Sequence, residues 1–357
     1  MSQIRIYVVE DSVVFRKLLL TTINSIPGVR TVGIASNGRE ALEAIPVVKP
    51  DLITLDINMP VMDGLETLEH LRIVYPQFRV IMVSSYTTEG AVATLKALEA
   101  GALDFITKPE TDDNTQNRIN LQNDFARLLA KYVNSGIHYD LLSKDHNEKV
   151  IEKRKCPARS ISYIPSTAPL AVAIGISTGG PNALSQVIPL LPGNYPVPVF
   201  IVQHMPRLFT KTLAESLHRK SKVNVVEAAD GDIVKAGNVY IAPGGLQMKL
   251  SKDDSSGVFI QLLDAPEENF CKPSADFLFR SVAKVYGEKA LGIIMTGMGS
   301  DGVLGLRLMK RQGAQVIAQD RETSTVWGMP KMACEAGVVD YTIPLHEMAD
   351  AMINAVR

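Results

Sequence analysis

The chain has 357 residues, 46% of them hydrophobic and 21% charged, with a formal net charge of −1. That length suits two ordinary domains, each large enough to bury a core without disulfide or metal staples. The balanced charge excludes a broad basic field for nucleic acid, and no apolar run is long enough to span a bilayer. The opening MSQIRIYVVEDS lacks the layout of a signal peptide. A cytoplasmic location is therefore expected, with no nucleic acid partner and no membrane insertion. Three cysteines, Cys156, Cys271 and Cys334, are scattered without paired spacing and are expected to be free thiols.

Along the chain, short apolar runs at 4–9, 29–35, 51–55, 80–83 and 103–107 read as strands. Between them, stretches such as 12–26 and 64–75 carry apolar residues at helical spacing, and a last helix is expected over 117–133. The alternation predicts a parallel sheet covered by helices on both faces, in a domain spanning 1–133. From 134 to 169 the pattern breaks. The polar, charge-mixed run KDHNEKVIEKRKCPARS leads into SYIPSTAP and reads as a linker. From 170 to 357 the alternation resumes, with strands expected at 170–176, 197–203, 223–227, 238–242, 290–296 and 314–318. A small antiparallel hairpin is expected over 246–250 and 258–263, around the turn KDDSSG.

The expected strand ends carry chemistry. Glu10 and Asp11 follow the first strand, Asp56 ends the third, Ser84 the fourth, and Lys108 the fifth. In an open parallel sheet these ends share one edge, where ligands bind. Three crowded carboxylates repel one another unless a cation joins them, and oxygen ligands suit Mg²⁺. Asp56 can then act as nucleophile toward a phosphoryl group, with Lys108 and the cation neutralising its oxygens and Ser84 placed to hydrogen-bond one of them. Loop ends are also rich in Asp and Ser as turn and capping residues. Four complementary ends in one place favour the site.

The second domain repeats the layout. LAVAIGISTGGP places Ser177 beyond a strand in a G-x-S-x-G turn, VPVFIVQHMP ends a strand at His204, and ALGIIMTGMGSDG leads to Asp301. A serine hydroxyl needs a base, and the base needs an acceptor to fix its tautomer. Ser177, His204 and Asp301 can fill these roles, with backbone amides near Thr178 and in the 297–299 turn as an oxyanion hole. Asp301 can equally cap a helix, and His204 can be an ordinary strand-end polar residue. On residue chemistry alone the two readings stand even. The order Ser, His, Asp differs from that of α/β-hydrolases.

VVEDS, LDINMPVMDG, MVSS and DFITKP resemble response-regulator receiver domains. The resemblance covers about the first 125 residues. It implies a flavodoxin-like fold with a five-stranded parallel sheet and phosphorylation at Asp56 by a histidine kinase. It also implies Mg²⁺ held by Glu10, Asp11, Asp56 and the Asn58 carbonyl, a phosphate contact from Lys108, and a switch pair of Ser84 and Phe105. Glu10 departs from the Asp of many relatives. GISTGGP, VQHMP, YIAPGG, MTGMGSDG and AQDRETSTVWGMP resemble the catalytic domain of the chemotaxis protein-glutamate methylesterases, the CheB family. That resemblance implies a doubly wound α/β methylesterase domain that hydrolyses glutamate γ-methyl esters, and deamidates particular glutamines, on methyl-accepting chemotaxis receptors. Ser177 would be nucleophile, His204 base, Asp301 its partner and the Met298 N–H an oxyanion donor, with no cofactor for the ester reaction. Gln247 stands where relatives often carry His, and is expected at the cleft rim. Arg321, Glu322 and Ser324 either line the cleft or belong to a surface loop. His218 is expected to be solvated, and no histidine is suggested near Cys271. The competing expectation is a non-enzymatic response regulator whose second half binds a partner or DNA.

Overall fold

The structure, a computed structural model, describes residues 3–109, 117, 119, 121–126, 128–129, 156, 168–253 and 257–357. The chain divides into two units, Met1–His146 and Asn147–Arg357. The expected linker at 134–169 lies almost wholly outside the described residues.

In the first unit, β1 (Ile4–Val9), β2 (Val29–Ala35), β3 (Leu52–Asp56), β4 (Arg79–Ser84) and β5 (Asp104–Thr107) form a sheet in the order β2-β1-β3-β4-β5. All four pairings are parallel. The central strands β1, β3 and β4 are almost wholly buried, as a sheet covered on both faces requires. Helices α1 (Val13–Asn24), α2 (Gly38–Val48), α3 (Gly64–Val74) and α4 (Thr88–Glu99) alternate with the strands. Each begins at a residue whose side chain accepts a first-turn amide: Ser12, Asn37, Asp63 and Thr87. The described positions of the last expected helix are helical, with Leu121, Phe125, Leu128 and Leu129 buried. Residue 133 lies outside the description. The order reverses between β1 and β3, and that switch point opens a crevice at the strand ends.

The second unit contains a seven-stranded parallel sheet. Its strands are β6 (Ala171–Ile176), β7 (Val199–Gln203), β8 (Asn224–Glu227), β9 (Asn238–Ile241), β12 (Ala290–Ile294), β13 (Gln315–Gln319) and β14 (Tyr341–Ile343). They lie in the order β14-β13-β12-β6-β7-β9-β8. The strands β10 (Gln247–Asp253) and β11 (Gly257–Leu263) form the expected antiparallel pair. The helices are α5 (Gly180–Val187), α6 (Arg207–Lys220), α7 (Ala275–Tyr286), α8 (Val303–Arg311), α9 (Met329–Glu335) and α10 (Leu345–Ala355). Here the switch point falls at β6, which has β12 on one side and β7 on the other. Three-residue β14 was not expected, because so short a run carries no readable period. Among the described residues, no helix is long and apolar enough to cross a membrane.

One expectation is overturned. Cys156 and Cys334 are joined in a disulfide with their Cα atoms 4.9 Å apart, leaving Cys271 as the free thiol. The partners lie 178 residues apart in sequence, so their meeting depends on tertiary folding and leaves no trace in spacing.

Candidate functional site

At the receiver-like crevice, Glu10 and Asp56 are buried while Asp11 is exposed. Their carboxylates offer oxygens within 4.8 Å of one another. Lys108 Nζ donates to Asp56 Oδ2 at 2.8 Å and to Glu10 Oε1 at 3.1 Å. Burial, then the neighbouring Asp56 charge, pushes Glu10 up to about 7, against the opposing pull of Lys108. Burial likewise raises Asp56. The second Glu10 oxygen, Oε2, is buried with no hydrogen-bond partner. An orphaned carboxylate oxygen beside two further carboxylates fits a hard divalent cation of the Mg²⁺ kind. Ser84 is buried, and its hydroxyl donates to the carbonyls of Ser85 and Gly90, each at 3.2 Å. It is therefore turned toward the start of α4. Phe105 is half-buried on β5, and Asn58 is exposed just past β3.

The second crevice gathers three adjacent strand ends. Ser177 follows β6 and His204 follows β7, and the last register pair, Ile176 with Gln203, precedes them directly. Ser177 N–H donates to Thr296 O beyond β12 at 3.0 Å, and His204 N–H to Ile176 O at 3.3 Å. Gly297 approaches Ser177 so closely that a Cβ on it would lie 2.7 Å from the Ser177 Cβ. Gln203, which the sequence did not single out, has its Nε2 donating to Ser177 O at 3.0 Å and to His204 O at 3.4 Å. It ties the two turns together, yet an amide beside a histidine gives no signal of that in sequence.

Asp301 is 2% exposed and makes a 2.8 Å bond with His204 Nε2. Its Oδ2 also accepts Ala275 N–H at 2.6 Å. Its Oδ1 accepts Ser274 Oγ at 2.7 Å, Asn269 Nδ2 at 3.1 Å and Asp276 N–H at 3.2 Å. The helix after Asp301, α8, starts from Gly302 without a side-chain cap. Asp301 instead takes the free amides at the N-terminus of α7, where a negative charge is favoured. Burial raises its pKa, but the His204 contact and these donors outweigh burial and hold it at about 2. An ionised carboxylate only accepts, so in the neutral ring Nε2 carries the proton and Nδ1 presents the lone pair. Among the described residues, no hydrogen bond joins Ser177 Oγ to His204. Nδ1 instead faces Cys271 Sγ at 3.6 Å, so a histidine does lie beside this thiol, contrary to expectation. Burial would depress His204, but the bonds and charges of Asp301 and Cys271 raise it to about 9.

Gln247 also departs from expectation. It is fully buried rather than exposed at a rim. Its Nε2 donates to Pro266 O and Cys271 O at 3.1 and 3.2 Å, and its Oε1 accepts Ser274 N–H at 2.8 Å. It fastens the loop that delivers Ser274 to Asp301. His218 is exposed, as expected, and its Nδ1 accepts Val225 N–H. Arg321 and Glu322 are exposed, with the Arg321 guanidinium 5.6 Å from the Trp327 ring centroid. Ser324 Oγ donates to Asp320 O at 2.6 Å, which uses it within its own loop. Met298 is half-buried, and among the described residues its N–H donates no hydrogen bond, which leaves it available to a ligand.

Residues 172–352 match the family described as CheB methylesterase, and residues 6–120 match the response regulator receiver domain. The chain belongs to the CheB methylesterase family. It is 42% identical over 363 residues, covering all of both chains, to a protein-glutamate methylesterase/protein-glutamine glutaminase of Desulfotalea psychrophila. A protein of that name from Thermotoga maritima is 40% identical over 353 residues, covering 99% of this chain and 98% of its own. The crystal structure of the Thermotoga maritima CheB methylesterase catalytic domain superposes with a TM-score of 0.51 at 43% identity, over 52% of this chain and 98% of that one. The expectation of a non-enzymatic output half is set aside by these matches.

Proposed function

We propose that this chain hydrolyses glutamate γ-methyl esters, and the γ-amides of particular glutamines, on chemoreceptors through Ser177, His204 and Asp301. The observation that carries the reading is the 2.8 Å bond between Asp301 and His204 Nε2. It fixes the tautomer that leaves Nδ1 basic, one strand away from a serine in a glycine-lined turn. The names of the full-length relatives supply the substrate class.

Ser177 Oγ attacks the carbonyl carbon while His204 Nδ1 takes its proton, and Asp301 stabilises the imidazolium that forms. The carbonyl oxygen becomes negative and is received by the backbone N–H groups of Thr178 and Met298. The proton passes from Nδ1 to the leaving oxygen and methanol departs, or to the leaving nitrogen and ammonia departs. Water repeats the sequence on the acyl-serine, releasing a glutamate carboxylate and restoring Ser177. The sequence uses no cofactor.

In the receiver unit, Asp56 accepts a phosphoryl group from a chemotaxis histidine kinase. Glu10, Asp11, Asp56 and the Asn58 carbonyl would hold Mg²⁺, and the cation would supply positive charge against phosphoryl oxygens. Lys108 turns from Asp56 to a phosphoryl oxygen. Ser84 gives up its backbone acceptors to donate to another, and Phe105 follows it as the second half of the switch.

The decisive measurement is methanol release from methylated receptor. Ser177→Ala should lower it by about 10³-fold or more, with far-UV circular dichroism and Trp327 emission unchanged. Activity kept within about tenfold of the parent would put the nucleophile elsewhere.

A further inference from the structure

Cys271 takes no part in the reaction just described, yet its sulfur faces the lone-pair nitrogen of His204. The thiol is held there by its own backbone. Cys271 N–H donates to Glu268 O at 2.9 Å and Glu268 N–H to Cys271 O at 3.1 Å, closing a tight turn. The two residues between them, Asn269 and Phe270, have φ of 54° and 60°, a left-handed conformation that non-glycine residues rarely adopt. Gln247 Nε2 holds the Cys271 carbonyl from the other side at 3.2 Å. The thiol is half-buried and reachable from solvent, while the His204 side chain is 10% exposed.

We propose that His204 Nδ1 and Cys271 Sγ form a binding site for a borderline-soft divalent cation of the zinc class. The spacing fits. Bonds of about 2.3 Å to sulfur and about 2.0–2.1 Å to nitrogen at a tetrahedral angle put the two ligand atoms roughly 3.6 Å apart. The separation in the structure is 3.6 Å. The orientation fits as well. A metal-bound imidazole characteristically donates its other N–H to a carboxylate, and His204 Nε2 meets Asp301 at 2.8 Å. Asp301 stays behind the ring, because its two oxygens already take five donors. The mixed nitrogen and sulfur donor pair selects against Mg²⁺, which belongs with the oxygen-only cluster of Glu10, Asp11 and Asp56. Two protein ligands leave two positions for water, so occupancy is reversible. The bound cation takes the nitrogen that must receive the Ser177 proton and blocks hydrolysis. That last consequence rests on the triad reading; the binding site does not.

Cobalt is the probe, because a thiolate ligand gives Co²⁺ a charge-transfer band that oxygen ligands cannot. The full chain, stripped with chelator and with its disulfide intact, is titrated with Co²⁺. The expected result is a thiolate charge-transfer band saturating at one ion per chain and displaced by Zn²⁺. It is absent in Cys271→Ser, weakened by about tenfold or more in affinity in His204→Gln, and unchanged in Ser177→Ala. A plain thiol–imidazole hydrogen bond gives no band at millimolar Co²⁺, and that result overturns the proposal. So does a band indifferent to His204→Gln. Zn²⁺ should inhibit methanol release reversibly, and inhibition of equal strength in Cys271→Ser would also overturn it. The two readings fail separately. A cobalt band alongside an active Ser177→Ala removes the triad and keeps the metal site, whereas no band alongside an inactive Ser177→Ala does the reverse.

Discussion

At the scale of single residues, both crevices put titratable groups where their ordinary pKa values do not hold. His204 is raised to about 9. On the proposed triad, a base that keeps its proton at neutral pH is inactive there and gains activity as the proton leaves. In metal-free protein, kcat/KM for ester hydrolysis should therefore rise with pH along a limb centred near 9. Cys271→Ala should shift that limb downward, because Cys271 supports the charged imidazole. A parent limb at the ordinary 6.5 would contradict the geometry. Glu10 moves the other way in consequence. Its folded pKa of about 7 lies above the ordinary 4.5, so between those values the folded state holds more protons than the unfolded one. Without a cation, receiver stability should fall as pH rises from 4.5 to 7. Glu10→Gln should raise the neutral-pH thermal midpoint of the metal-free protein and weaken the gain on adding Mg²⁺. An unchanged midpoint would count against the buried charge. The strand-end residues themselves were legible, because apolar runs ending in Asp, Lys, Ser or His leave little choice of position. Gln203, Ser274 and Asn269 were not, since what they do depends on partners far away in sequence.

At the scale of elements, most strands were readable from their apolar runs, with edges displaced by a residue or two. The hidden element-level fact is how α7 and α8 are joined. Asp301, just before α8, takes the first amides of α7, while Asp276 in α7 accepts Gly305 N–H of α8 at 2.6 Å. Each helix thus supplies the acceptor for the other's start. The crossing is close enough that a Cβ on Gly305 would lie 2.5 Å from Phe279 Cβ and 3.0 Å from Asp276 O. Neither neighbour is the free end of a flexible chain. Gly305→Ala should cost about 1–3 kcal/mol of stability in the catalytic unit. Trp327, the only tryptophan in the chain, reports that transition. An unchanged midpoint would mean that the helices can part without loss.

At the scale of the whole molecule, the two units share one plan, a parallel sheet with its chemistry at the switch point, and that plan was visible in the alternation of runs. The Cys156–Cys334 link was not, because nothing local marks partners 178 residues apart. The functional coupling of the units is an equilibrium question: phosphorylation changes hydrolysis only as far as it favours one state over another. A small phosphodonor with Mg²⁺ should raise methanol release by the full chain roughly 5- to 150-fold, the usual range of such coupling. Asp56→Asn should not respond. A response equal to the parent's would place control elsewhere.

The joint between α7 and α8 also bears on when the enzyme becomes active. Asp301 is held by amides of a helix that begins 26 residues before it, so on the proposed triad the His204 base acquires its tautomer only once those helices have met. A nascent or partly unfolded chain that exposes Ser177 would still lack the carboxylate that orients His204. Hydrolytic activity should thus return during refolding no earlier than the Trp327 signal of the packed catalytic unit, and activity regained ahead of that signal would show that the joint is not required.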